Sequence, residues 1–154
     1  MKGAHTLLIN SYNHNVDAKG RVFIPAKWRD DLGGIIIVTR GILGKDDGRC
    51  LFGMSLNEWT SFSQKLQSVS LGKVEAQRLL RMMMSGASEC ERDGQGRILI
   101  SSALRDYAGI GDEVVLCGMG KRIEIWSAEM WEKQMELGDA LGDDVLAELV
   151  ELGI

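Results

Sequence analysis

Two arginines each stand four residues beyond an aspartate, Arg21 after Asp17 and Arg97 after Asp93, and these four residues are the ones whose type and spacing suit selective polar recognition. A guanidinium is a planar fork of N–H donors that keeps its charge at any ordinary pH, so it grips a carboxylate, a phosphate or the edge of a guanine in two-pronged fashion. A single Asp-x-x-x-Arg reads as a local ion pair, which contributes little at a surface. Here it is part of a longer repeat. The stretch DAKGRVFIPAKWRDDLG (17–33) returns as DGQGRILISSALRDYAG (93–109), and without gaps the copies share Asp17/Asp93, Gly20/Gly96, Arg21/Arg97, Ile24/Ile100, Arg29/Arg105, Asp30/Asp106 and Gly33/Gly109. Seven identities in seventeen positions mark an internal duplication, which sets the architecture before any other feature. The arginines are therefore a matched pair, with Lys19 and Gln95 at the matching third position of each turn.

Enzymatic chemistry lacks its usual organisers. The sequence has no GxxxxGK[ST] phosphate loop, no HExxH zinc motif and no GxSxG nucleophile elbow. Gly118-Met119-Gly120-Lys121-Arg122 mimics a phosphate loop but falls between two expected strands, where a hairpin turn is the natural reading. Asp46 and Asp47 lie in a loop without a nominated partner. Cys50, Cys90 and Cys117 are odd in number and far apart, with His5 and His14 both near the start, so they do not offer the close set of four ligands of a structural zinc site. They read as buried free thiols. The expectation is a protein that is not an enzyme and takes no cofactor, metal or small-molecule ligand.

The elements that would carry the arginines follow from local chemistry. Asp17-Ala18-Lys19-Gly20 and Asp93-Gly94-Gln95-Gly96 suit a type I turn, with Asp first and Gly last at positive φ, closing a bulged hairpin. Arg21 to Ile24 and Arg97 to Ile100 are the return strands. Pro25 opens a short helix AKWRDDL, Ser101 or Ser102 caps its counterpart SALRDYA, and Gly33 and Gly109 end them. The β-branched run Ile35 to Thr39 is a buried strand, answered by Glu113 to Cys117. The echo continues in LFGMSLNEW, ending at Trp59, and IEIWSAEMW, ending at Trp131, but the offset falls from 76 to 72. The first copy thus carries four extra residues, placed in Gly44 to Arg49.

Ser55-Leu56-Asn57-Glu58 is a capping box for a helix in which Leu56, Trp59, Phe62 or Ser63, Leu66 and Val69 would pack on the sheet. After a turn at Ser70 to Gly72, a second helix from Lys73 to Met84 carries Met82, Met83 and Met84, a cluster that reads as core or subunit contact. The end of the chain, DDVLAELVELG, is amphipathic, with Leu141, Val145, Leu146, Leu149 and Leu152 on one side and Asp143 and Asp144 at its start. It reads as a docking or oligomer helix.

At 154 residues, 45% hydrophobic and 26% charged, the chain has the size and balance of one globular domain able to bury a core. No apolar run approaches the roughly 20 residues a membrane helix needs, and MKGAHTLLINSYNHN lacks the features of a signal peptide, so a cytosolic location is expected. The net charge of −4 conceals an uneven distribution: from Glu129 onward there are eight acidic residues and one lysine, leaving 17 basic against 14 acidic residues in 1–128. A polyanionic partner is compatible with that front section.

NVDAKGRVFIPAKWR, followed by SGASECERDGQGRILI, AGI and IEIWS, resembles the MraZ family of bacterial transcriptional regulators, within the AbrB/MazE/SpoVT superfamily of swapped-hairpin DNA-binding domains. The resemblance covers about residues 5 to 132, with both motifs in order and spacing. It implies an α+β fold of duplicated, β-rich AbrB-like half-units interleaved in one small barrel with flanking helices. The expected divisions are 11–58 for the first unit, 59–86 for a helical linker, 87–130 for the second unit and 131–154 for the acidic tail. It further implies a ring-shaped homo-oligomer in the cytoplasm and nucleoid, binding double-stranded DNA at tandem promoter repeats before the division and cell-wall genes as a repressor. DNA contact transfers by position to Asp17, Arg21, Asp93 and Arg97. With the arginines in the major groove, Lys19 and Gln95 would reach nearby phosphates or base edges. Ser101 departs from Pro25, so the second unit need not be supported as the first is. A different expectation, kept beside this one, is an antitoxin-like or scaffold module that holds a protein partner through the Met-rich helix and the tail.

Overall fold

The computed structural model describes residues 7–41, 48–69, 72–138 and 142–154. The first repeat runs β1 (Ser11–Asn15), β2 (Arg21–Phe23), a 3-10 turn (Ala26–Trp28), α1 (Arg29–Leu32), β3 (Ile35–Arg40) and β4 (Leu51–Ser55). Helices α2 (Leu56–Gln67) and α3 (Val74–Ser85) lead to the second: β5 (Ser88–Glu91), β6 (Arg97–Leu99), α4 (Ser102–Ala108), β7 (Glu113–Gly118) and β8 (Ile123–Ser127). Helices α5 (Ala128–Gly138) and α6 (Asp143–Glu151) close the chain. Each copy thus follows the order strand, turn, strand, helix, strand, strand.

The copies exchange strands. A six-stranded sheet has the order β1-β7-β8-β4-β3-β5, so β1 of the first repeat pairs with β7 of the second, and β5 of the second pairs with β3 of the first. Strands β2 and β6 form a separate antiparallel ribbon. The order reads the same from either end once first-copy strands are swapped for their second-copy counterparts, which places a pseudo-two-fold axis through the molecule. In the sheet it passes at the pair Phe52 and Glu124, where β4 meets β8, and in the ribbon at Val22 and Ile98. In place of a closed barrel, the described residues form this sheet and the ribbon, which share one core; β1 and β5 are edges with no ladder joining them.

Period-2 alternation divides the core between the two faces of the sheet. Leu51, Ile123 and Ile125 join Val22, Ile24, Trp28, Leu32, Ile98, Ile100 and Leu104 beneath the ribbon and the short helices. Cys50, Phe52, Met54 and Trp126 face the other way, where Leu66, Met83, Trp59, Phe62 and Met130 cover them. Burial pushes the thiols of Cys50 and Cys90 above their ordinary pKa, so both pack as small apolar groups.

Several expectations need adjusting. Leu56 and Val69 are 47% and 43% exposed: Leu56 is the first residue of α2 and Val69 lies two residues beyond its end. Of the three consecutive methionines only Met83 is buried, since neighbours on a helix point about 100° apart. The net offset of four residues is two differences: the second copy has two more residues between its short helix and the next strand, and the first has six more between β3 and β4. Residues 44–47 of the proposed insertion, the turn positions 70 and 71, and Leu141 lie outside the described residues. Pro25 leads into a 3-10 turn before the four-residue α1, whereas the Ser101 hydroxyl accepts the Leu104 N–H at 3.3 Å and supports a seven-residue α4. Proline has no side-chain acceptor with which to cap.

Candidate nucleic-acid interface

The two turns are built alike. In the first, the Gly20 N–H donates to the Asp17 carbonyl at 2.9 Å and the Asp17 N–H to the Arg21 carbonyl at 3.1 Å; in the second, Gly96 and Asp93 make the same bonds at 3.0 and 2.9 Å. The aspartate side chain serves as an internal acceptor. Asp17 Oδ1 accepts the backbone N–H of Lys19 (3.0 Å) and of Arg21 (2.8 Å), and Asp93 Oδ1 accepts those of Gln95 and Arg97, both at 2.9 Å. The second carboxylate oxygen takes the arginine Nε, at 2.6 Å for Arg21 and 2.9 Å for Arg97.

The electrostatics follow from this geometry. The Arg21 backbone N–H, aided by the Arg21 side chain and the Lys19 N–H, overcomes partial dehydration and holds the Asp17 carboxyl at about 2, below its ordinary 3.8. Asp93 is lowered for the same reasons, led by the Arg97 N–H. Both carboxylates are therefore charged at any physiological pH. The ion pairs engage Nε, and the side chains of Arg21 and Arg97 remain 31% and 20% exposed. Arg97 Nη1 also stands 3.9 Å from Asp17 Oδ2, linking the two turns.

The ribbon sets which way these groups face. Val22 and Ile98 are buried at 0% and 1%, so alternation sends Arg21, Phe23, Arg97 and Leu99 to the outer side. In register, Arg21 lies opposite Leu99 and Phe23 opposite Arg97. Beyond the strands, the Ile24 N–H donates to the Gly96 carbonyl (2.8 Å) and the Ile100 N–H to the Gly20 carbonyl (3.0 Å), tying each strand to the other repeat's turn. Lys19 and Gln95 are exposed at the two turns, so all six residues singled out by sequence sit on or beside one ribbon.

Sequence reasoning assigned no role to three further arginines. Arg29 donates from Nε to the Ile24 carbonyl at 2.9 Å, and its guanidinium fills the space where a side chain on Gly96 would stand. Arg105 does the same through the Ile100 carbonyl at 3.0 Å, beneath Gly20. The signal was present, since Arg29/Arg105 is one of the seven shared identities. Arg92 donates to the carbonyls of Arg29 and Gly33, at 2.9 and 2.8 Å, satisfying the free end of α1; position 16 of the first repeat holds valine, so the duplication could not reveal it.

A duplicated chain with strands exchanged between its copies and a two-stranded ribbon bearing a symmetric pair of partly exposed arginines defines the class: a duplicated, strand-exchanged α+β domain. The MraZ protein family model matches residues 7–82 and 83–141, and the chain belongs to the MraZ family. It is 45% identical over 148 residues to the transcriptional regulator MraZ of Caldicellulosiruptor bescii, covering 96% of this chain and 100% of that one. To the transcriptional regulator MraZ of Thermoanaerobacter pseudethanolicus the identity is 42% with the same coverage. To that of Carboxydothermus hydrogenoformans it is 38%, covering 94% and 98% of the two chains.

Proposed function

We propose that this chain is a sequence-specific DNA-binding transcriptional regulator, acting as a repressor in the cytoplasm and nucleoid, whose β2–β6 ribbon enters the major groove of double-stranded DNA. The observation that carries the reading is the pair Arg21 and Arg97 on the outer side of one ribbon, each oriented by an aspartate at the preceding turn. The major groove admits a two-stranded ribbon, and one good bidentate arginine contact discriminates by about 1 to 3 kcal/mol. Lys19 and Gln95, exposed at the turns, reach phosphates or base edges. The names of the MraZ relatives agree with this role.

In this reading the hairpin units 11–58 and 87–130 form one binding face, 59–86 links them, and the acidic segment 131–154 stays clear of DNA. A few arginine contacts give modest affinity, so a ring-shaped homo-oligomer on tandem promoter repeats spaced by about one helical turn adds avidity of order 10² to 10⁴. The test is a titration of duplexes carrying the repeats the protein itself selects from a random pool. Arg21→Ala is expected to abolish binding with an unchanged elution volume on sizing; unaltered affinity would remove the arginine assignment.

A protein-binding, antitoxin-like role is supported by the matching family model, whose description calls the MraZ protein antitoxin-like, and by α6, which buries none of its residues while Val150, Leu152 and Ile154 are 73% or more exposed. Salt dependence discriminates between the two, because affinity that rests on phosphate contacts falls steeply with ionic strength.

A further inference from the structure

The ribbon's outer side is only half charged. Phe23 and Leu99, 42% and 55% exposed, alternate with Arg21 and Arg97 in a checkerboard, each arginine opposite an apolar side chain. These are large apolar groups left in water at the centre of the face, although Val22 and Ile98 already supply the ribbon's inward anchors. Phe23 is held in place: the Arg97 guanidinium lies over its ring at 5.8 Å and the His14 ring packs against it at 6.4 Å. To such residues on a two-stranded ribbon the major groove offers one apolar target, the C5-methyl group of thymine.

We propose that Phe23 and Leu99 read thymine methyl groups, so that this face specifies T as well as G. The inference rests on the DNA-binding reading above and deepens it. The flanking charge points to the occupant: Lys19, Arg21 and Arg97 outnumber the ionised Asp17 and Asp93 on this face, which favours a polyanion and brings the apolar pair against base edges. Diagonal positions on neighbouring strands are roughly 8 Å apart, which is two to three base-pair steps at about 3.4 Å each. The two thymines therefore fall two to three steps apart, related by the pseudo-two-fold axis through Val22 and Ile98.

The experiment uses the full chain and the duplexes it selects from a random pool, with each thymine replaced singly by deoxyuridine, which removes only the methyl group. Affinity is read by fluorescence anisotropy. Uracil at two positions two to three steps apart is expected to weaken wild-type binding about three- to fivefold each, the loss that goes with one buried methyl. Phe23→Ala becomes indifferent to the substitution at one of them and Leu99→Ala at the other, while both keep the wild-type salt slope. Thermal melting checks that both variants remain folded: Leu99→Ala should match wild type, and Phe23→Ala, which loses its contacts with Arg97 and His14, should still melt in one cooperative transition. Uniform indifference of the wild type to uracil, with salt-steep binding retained, overturns this inference alone. Failure of the wild type to select or retain any duplex removes the regulator reading together with it.

Discussion

The Arg29 guanidinium packs against Gly96, the last residue of the other repeat's turn, and Arg105 packs against Gly20 in the same way. Each short helix thus braces the hairpin of the opposite copy. The two glycines have φ of +92° for Gly20 and +84° for Gly96, a region that side chains rarely adopt. Both the backbone and the space beside it exclude any larger residue.

Gly96→Ala should therefore destabilise the fold by about 1 to 3 kcal/mol through backbone strain, with displacement of Arg29 adding to it. Gly94, in the same turn, has no positive φ and nothing within 4 Å of where a side chain would stand, and is the control: Gly94→Ala should stay within about 0.5 kcal/mol of wild type. Urea midpoints of the two variants, at equal slopes, check this. Equal midpoints would remove the cross-bracing account.

Arg29→Ala removes a charged donor from the Ile24 carbonyl, and such a bond contributes about 1.5 to 3 kcal/mol. Its expected signature is lost stability together with weakened DNA binding at an unchanged salt slope, since Arg29 would act by positioning the hairpin. Arg97→Ala should instead lower the slope of log affinity against log salt by about 1 if its fork meets a phosphate, and relax sequence preference if it meets a guanine.

The turns should resist acid. Because the Asp17 pKa is lowered on folding, its ion pair and its two N–H bonds contribute stability that is complete above the ordinary carboxylate value of 3.8 and is lost as the pH falls towards about 2. A carboxylate NMR titration should find Asp17 near the lower figure, and Asp17→Asn should cost stability at pH 7 but little at pH 2. An ordinary titration midpoint would contradict the hydrogen-bonded turn.

Helix starts give a quantitative contrast between the copies. Ser55→Ala removes the acceptor of the Glu58 N–H (3.1 Å) and Ser101→Ala that of the Leu104 N–H, each costing about 1 kcal/mol by thermal melting. The first copy has no matching cap to lose at Pro25, where no side-chain bond is made. A neutral Ser101→Ala would show that α4 is held by the burial of Leu104 and Ala108 instead.

Much of this site was legible because its chemistry is local. Asp, then Gly three residues on, then Arg, closes a hairpin through bonds that span at most four residues, and the serine cap of α2 is equally local. The repeat then doubled the signal. The exposure of Leu56 and Val69 was not legible, because helical spacing names a face but cannot say where along the chain that face begins and stops being covered. Arg92 escaped because its acceptors, the carbonyls of Arg29 and Gly33, are 63 and 59 residues away.

By itself the sequence determined the duplication, the turn chemistry and the return strands that begin at Arg21 and Arg97. It left undecided which strand each would pair with, because a two-residue period looks the same whether β1 meets β7 or a strand of its own copy. The resemblance supplied the expectation of exchange; only the tertiary structure gave the registers that join β1 to β7, β5 to β3 and β2 to β6. From those registers come the checkerboard of arginine and apolar side chains and the bracing of each turn by the other repeat's helix. Long-range pairing is chosen by the total burial and hydrogen bonding of the whole sheet, a sum that no single stretch of the chain carries.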